Sequence, residues 1–247
     1  MFLGYDHTIF YVPDPALLDE TCTAFEDAGF LIMDRHDEDR ETAAARQRLI
    51  CFADGSYIEI LTIRDAEARA RHRLARHMDG RAGWADFTLV TDRLDEVIGR
   101  QSAAGFPVNG PLTHERRLVD GRPWKVSLCL PGVGVGHVAL PFVLQDEVGR
   151  DLRIPSGRTK HPNGVTGTLG VVVSTPDIAD AADHYRPMFG EPAQKGNALR
   201  YAFAPGQWID MVEGPALIEG VVLSASEGLE ASAGMQALGL SVLPQPA

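Results

Sequence analysis

Apolar and polar positions alternate over HTIFYV, near the start of the chain, which predicts a half-buried strand. The period then changes. In PDPALLDETCTAFEDAG, Leu18, Cys22 and Phe25 recur at helical spacing. Asp14 can cap that helix, Pro15 suits its first turn and Gly29 closes it. FLIM predicts a short strand, and DRHDEDRETAAA a charged, mobile loop. RLICF and YIEIL then flank ADGS, whose Asp54-Gly55 pair signals a hairpin turn. The order is βαβββ.

That order returns. DFTLV reads as a strand, TDRLDEVIGRQSAAG as a helix, and FPV, WKVSLCL and LPFVLQ as three further strands. A third copy runs from TLGVVVS through the helix TPDIADAADHYRPMFG to ALRYAFA and WIDMV around PGQ. The tail IEGVVLSASEGLEASAGMQALGLSVLP reads as strand, helix and strand, a truncated fourth copy. The copies share residue types at matching corners. Asp14, Asp92 and Asp177 open the helices, and Gly29, Gly105 and Gly190 close them. The pattern divides the chain into paired modules over 1–147 and a third module with a partial repeat over 160–247. The expected class is α+β.

Composition narrows the partners. The formal net charge is −11, which argues against nucleic acid because phosphate binding needs a basic surface. RDAEARARHRLARHMDGR runs against that balance and reads as a solvated helix face, available to a homodimer contact. No stretch reaches the ~18 apolar residues of a membrane span. Cys22, Cys51 and Cys129 lie in apolar periodic segments without metal-type spacing. They read as reduced, buried thiols of a cytoplasmic protein.

Two polar residues stand out within the strands. In HTIFYV, His7, Ile9 and Tyr11 share one face; in YIEIL, Tyr57, Glu59 and Leu61 share another, with Ile58 and Ile60 turned toward the helix. A lone Glu in an apolar strand is costly unless it is paired, hydrogen-bonded or metal-bound.

A repeated βαβββ unit that opens with DHTIFYVPD and closes with YIEIL resembles the vicinal oxygen chelate superfamily, and within it the glyoxalase-like domain proteins. The resemblance covers 3–147 well and 160–215 less well. It implies that two modules pair and that their mixed sheets curl into a cup. It also implies metal ligands on the first and fourth strands of each module. His7 and Glu59 fall at such points and would hold one divalent ion, Zn, Fe, Mn or Ni, or act as acid and base. The second module places Ala85 and Phe142 at the matching points, and neither binds metal. Asp210 would be a third ligand if the first and third modules paired. Two ligands make a weak metal site or none. Relatives often carry a Gly-Thr-x-Asn-like stretch where this chain has Ala44, Ala45, Arg46 and Gln47.

Other residues are candidates for a small-molecule ligand. Tyr11, Tyr57 and Phe142 suit a planar molecule on the cup wall. Lys125, if the polar set of WKVSLCL faces the cup, would meet a substrate carboxylate. His161, beside Lys160 and Arg158 in RTKHPNG, lies in a loop fit for binding. Several apparent motifs fail. His72 and His77 are five apart and miss the spacing of a helical zinc pair. GVGVGH lacks the Lys of a phosphate loop. The resemblance therefore implies a lyase, isomerase or dioxygenase acting on a small oxygenated molecule. A non-catalytic binding or sequestering protein is the alternative. The substrate is not legible.

Overall fold

The computed structural model describes residues 3–39, 42–72, 75, 80, 82–132, 140–215, 217–226 and 228–244. The first module runs β1 (Leu3–Tyr11), α1 (Leu18–Asp27), β2 (Ala45–Cys51) and β3 (Tyr57–Ile63). A short helix, α2 (Ala66–Arg71), leads to the second: β4 (Gly83–Thr91), α3 (Leu94–Ala103), β5 (Val108–Arg117), β6 (Pro123–Pro131) and β7 (Phe142–Val148). One turn of helix, α4 (Arg150–Arg153), opens the connection to the third. That module is β8 (Val165–Thr175), α5 (Ile178–Phe189), β9 (Ala193–Lys195), β10 (Ala198–Ala204) and β11 (Gln207–Glu213). The tail forms β12 (Leu217–Ala225), α6 (Ala233–Ala237) and β13 (Leu240–Pro244), the strand, helix and strand of a shortened copy. No helix among the described residues is long and apolar enough to cross a membrane.

The strands form two mixed sheets, ordered β2-β3-β1-β4-β7-β6-β5 and β13-β12-β8-β11-β10-β9. In the first, β1 and β4 meet antiparallel at the centre, with His7 opposite Thr88. Each central strand has a parallel neighbour from its own module, β3 beside β1 and β7 beside β4. The second sheet repeats this plan around the antiparallel pair β8 and β12. The first module thus pairs with the second, and the third with the shortened copy.

Alternation decides what fills the space between the layers. Phe87, Leu89 and Val143 of the first sheet share a buried cluster with Val171, Ile209 and Met211 of the second. Val97 of α3 and Tyr185 of α5 complete it. A second cluster joins Phe25 of α1 to Ile58 and Ile60, the outward pair expected from YIEIL, and to Val221 and Met235. Each fully buried side chain of this size contributes about 1.5–3 kcal/mol. The hairpin after β2 ties the sheets through Asp54, which accepts hydrogen bonds from Ser56 N (2.8 Å) and Thr168 N (3.0 Å).

One expected strand is replaced. FLIM forms no strand; only Met33 bridges to Leu49 on the β2 edge. The Leu31 N–H donates instead to Nδ1 of His161 (3.0 Å), outside any ladder. Four residues beyond Met33, Asp37 bridges to Leu118 at the end of β5. The Glu38 N–H reaches Arg117 O (2.7 Å), and Val119 N–H reaches His36 O (3.1 Å). Residues 33–38 therefore form a strap joining the two edge strands of the first sheet across the open side of its curl. His36 takes a positive φ of 57° and stays exposed, while Arg35 and Asp37 on either side are buried. The stretch expected to be a mobile charged loop includes this ordered wall. Of the Arg-rich segment, α2 is helical; Arg73, Arg76, His77 and Arg81 lie outside the described residues, as does 133–137 of GVGVGH.

Candidate active site

The concave face of the first sheet surrounds a cavity of about 310 Å³. A register shift between Tyr5 and His7 sets its floor. Regular alternation would put both side chains on one face. The shift sends Tyr5 into the core between the sheets and His7 into the cavity, with Asp6 buried between them.

The parallel pairing of β1 with β3 sets His7 beside Tyr57 and Ile9 beside Glu59. Tyr57 stacks on the imidazole, with centroids 4.6 Å apart and planes 18° apart. Phe142 meets the ring edge-on at 5.5 Å. Nδ1 lies 2.7 Å from Asp6 Oδ1, and Nε2 lies 3.1 Å from Thr88 Oγ1 and 3.6 Å from Glu59 Oε2. An ionised carboxylate only accepts, so Nδ1 carries the proton toward Asp6. Nε2 is then the nitrogen that can exchange one beside Glu59.

Asp6 is held as a carboxylate. Burial alone would raise its pKa, but the charge and hydrogen bonds of Arg153, with those of His7, hold it well below the usual carboxylate range. Arg153 reaches it through Nη1 (2.8 Å) and Nη2 (2.6 Å), and Arg150 adds a contact at 3.2 Å. Arg153 also binds Asp146 through Nε (2.7 Å) and the Tyr57 hydroxyl through Nη1 (3.2 Å). Burial and the neighbouring Asp6 push the Tyr57 phenol well above its ordinary value, so it stays protonated. The cation behind His7 thus comes from α4, after the last strand of the sheet.

The strap supplies a second polar wall. Asp37 accepts from Arg35 Nε (2.9 and 3.0 Å), Trp124 Nε1 (3.1 Å) and Gln47 Nε2 (3.2 Å), and its Oδ2 forms an ion pair with Arg35 Nη2 at 2.8 Å. Arg35, Trp124 and Gln47 all line the cavity, and the Arg35 guanidinium lies 4.5 Å from the Trp124 ring centroid. His114 lines it too. Its Nε2 accepts from Arg116 Nε (3.2 Å); although the residue keeps an exposed surface, partial desolvation of the ring, with Arg116 and Arg35 nearby, lowers its pKa. The remaining wall is largely apolar: Ile9, Leu61, Val126, Leu128, Phe142 and Leu144.

Of the residues expected from the sequence, His7, Glu59, Tyr57 and Phe142 meet here. Four others do not. Tyr11 packs with Ile63 and Ala85 in a separate cluster and does not line the cavity. Lys125 is on the wrong face: Trp124, Val126 and Leu128 point into the cup, and Cys129, from Lys125's own set, is buried between the layers. The cup draws the apolar side of β6. His161 is 6% exposed, accepts from Leu31 N at Nδ1 and so donates from Nε2 to Cys51 O (3.1 Å). Both nitrogens are spent on backbone, and Phe30 and Phe52 pack edge-on against the ring. Asp210 lies on the second sheet, bound to Arg200 through Nε (2.7 Å) and Nη2 (2.6 Å). Beside it the Trp208 ring covers Gly170, where a Cβ would stand 2.5 Å from the ring, and Arg200 lies 3.9 Å from the Trp208 ring centroid. The pairing of first and third modules that Asp210 required is absent.

Asp6, Arg35, Asp37, His114 and Arg153 were not singled out by sequence reasoning. His72, set aside for its spacing, lines the cavity. Asp6 alone carried a signal, as an acid directly before His7 at the head of the strand.

The donor set does not fit a firmly held metal ion. Among the described residues no group of three or more His, Cys, Asp and Glu is arranged to hold one. His7 and Glu59 offer two donors, and across the sheet β4 and β7 bring Thr88 and Phe142. Arg35, Arg116 and Arg153 line the same cavity and disfavour a further cation.

The family model described as Glyoxalase-like domain matches residues 5–189. No curated protein matches the sequence. Among solved structures, a hypothetical protein from Staphylococcus aureus superposes with a TM-score of 0.75 at 15% identity, over 99% of this chain and 100% of the other. A mutant of 4-hydroxymandelate synthase from Streptomyces coelicolor gives 0.55 at 13% identity, over 96% and 74%. BphC, a halotolerant catechol dioxygenase, gives 0.53 at 12% identity, over 96% and 76%. At these identities the likeness is one of fold.

Proposed function

The chain belongs to the glyoxalase-like domain family of the vicinal oxygen chelate superfamily, and from that premise we propose that its cavity binds a small oxygenated molecule and moves a proton on it. The observation that carries this reading is the placement of His7 Nε2 3.6 Å from Glu59 Oε2 on the wall of a 310 Å³ cavity. Glu59 is the more exposed of the two and is the group that meets the ligand. A C–H beside a carbonyl gives its proton to Glu59 while the electron pair stays on the ligand as an enolate. His7 Nε2 shares that proton, and Asp6 fixes the ring that carries it. Return of the proton to the other face or another atom gives an isomer; loss of a leaving group from the enolate gives a lyase product. No step of this reading runs through a metal ion, since the donors do not fit one. Reduced cysteines suit a cytoplasmic setting.

Solvent exchange tests the reading. Small carbonyl compounds incubated with the protein in D₂O should take up deuterium at carbon, followed by NMR. Glu59→Gln should slow that exchange about 100-fold or more. Equal exchange by both proteins, or none above the uncatalysed rate across the panel, would sink the proposal. In the latter case the non-catalytic binding reading would stand.

A further inference from the structure

We infer that the ligand is a monocarboxylate with an apolar body, its head group held by Arg35 on the strap. This inference rests on the proposed function, since it specifies what the same cavity takes. A guanidinium has five N–H donors arranged as forks. The side-on edge of Arg35 faces Asp37: Nε donates to both carboxylate oxygens, and Nη2 lies 2.8 Å from Oδ2 as an ion pair. Of the end-on fork, only Nη1 has a further contact among the described residues, a long 3.5 Å approach to Arg153 O. That fork keeps an N–H on each nitrogen, the arrangement that takes the two oxygens of a carboxylate.

Its neighbours hold it for that task. Asp37 and the Trp124 ring fix the guanidinium plane. His114, also lining the cavity, accepts at Nε2 from Arg116, so its own proton sits on Nδ1. Glu59 is the opposing consideration, because a second anionic group near it would be repelled. A single negative charge satisfies both ends, with the head on Arg35 and the uncharged reacting carbon toward Glu59. The apolar side of β6 and β7 then receives the body of the ligand. Asp37 cancels the net charge of Arg35, so the attraction is short-ranged hydrogen bonding and depends little on salt.

Titration calorimetry with 3-phenylpropanoate and 3-phenylpropanamide, two probes of the same body, tests the inference on the full chain. The acid should bind the native protein at least about tenfold more tightly than the amide, the discrimination typical of a charge-assisted pair. Arg35→Lys keeps a charge for Asp37 but has no fork, and in it that preference should largely disappear. An amide that binds the native protein as tightly as the acid would overturn the inference and leave the cavity as the ligand site. An unchanged preference in Arg35→Lys would also overturn it. Failure of both probes to bind would overturn it too, and the deuterium exchange would still judge the proton-transfer reading separately.

Discussion

His7 and Glu59 meet across two parallel strands that share a module, with Nε2 and Oε2 3.6 Å apart and the Asp6 carboxylate behind the ring. The contact sits on the concave wall, away from the packing of the layers. Glu59→Gln keeps the shape of the side chain and removes its charge. Buried charge is a weak contributor to stability, so the variant should melt at the same temperature as the native protein or slightly above it. Thermal unfolding checks this. A marked fall in melting temperature would make Glu59 a structural residue.

Asp6 should govern the acid limit of stability. Its folded-state pKa lies below the usual carboxylate value of about 3.9. Its contribution is therefore fully present above that value and is lost as pH falls below it, where the unfolded chain takes up the proton first. Asp6→Asn removes the fully buried one of the two carboxylates that Arg153 pairs with, leaving Asp146, and should cost up to about 3 kcal/mol near neutral pH. The variant should also lose part of the steep fall in stability below about pH 4. Denaturant midpoints from pH 3 to pH 7 measure both. An acid limb as steep in the Asn variant as in the native protein would remove Asp6 from this role.

Much of this site was written in the strands and little of it in the strap. Period-two alternation put His7 and Glu59 on one wall because β1 and β3 are nearly regular there. Alternation gives two faces without saying which is inward, and only that ambiguity makes Lys125 a candidate for the cup. Tyr11 shares the face of His7, yet Ile63 and Ala85 close over it. Arg35 and Asp37 looked like solvated charges because a string of letters does not show that each buries the other. Arg153 lies beyond the repeat, and no period points to it.

His161 carries a prediction of the opposite kind. It looks like a loop ligand and works as a connector between Leu31 and Cys51. His161→Ala should cost about 1–3 kcal/mol by leaving buried backbone groups unpaired. Ligand binding in the cavity should not change. Burial lowers the His161 pKa, so its contribution is present above the free value of about 6.5 and declines as pH falls through the folded value. Stability measured at pH 5 and pH 8 should differ less in the Ala variant. A loss of ligand affinity with unchanged stability would return His161 to the site.

The last prediction concerns metal. Relatives in the superfamily are expected to draw ligands from both paired modules, but here the second contributes Thr88 and Phe142. His7 Nε2 already has the Thr88 hydroxyl and Glu59 beside it, and three arginines line the same cavity. An ion bound there would have two protein donors, whereas tightly held catalytic ions usually have three. Purified protein should therefore carry well under one transition ion per chain. Treatment with a chelator should leave both the melting temperature and the deuterium exchange as they were. Elemental analysis that found one firmly held ion per chain, with exchange lost on its removal, would contradict this. His72 and His114, the other imidazoles on the wall, would then be the first residues to test as ligands.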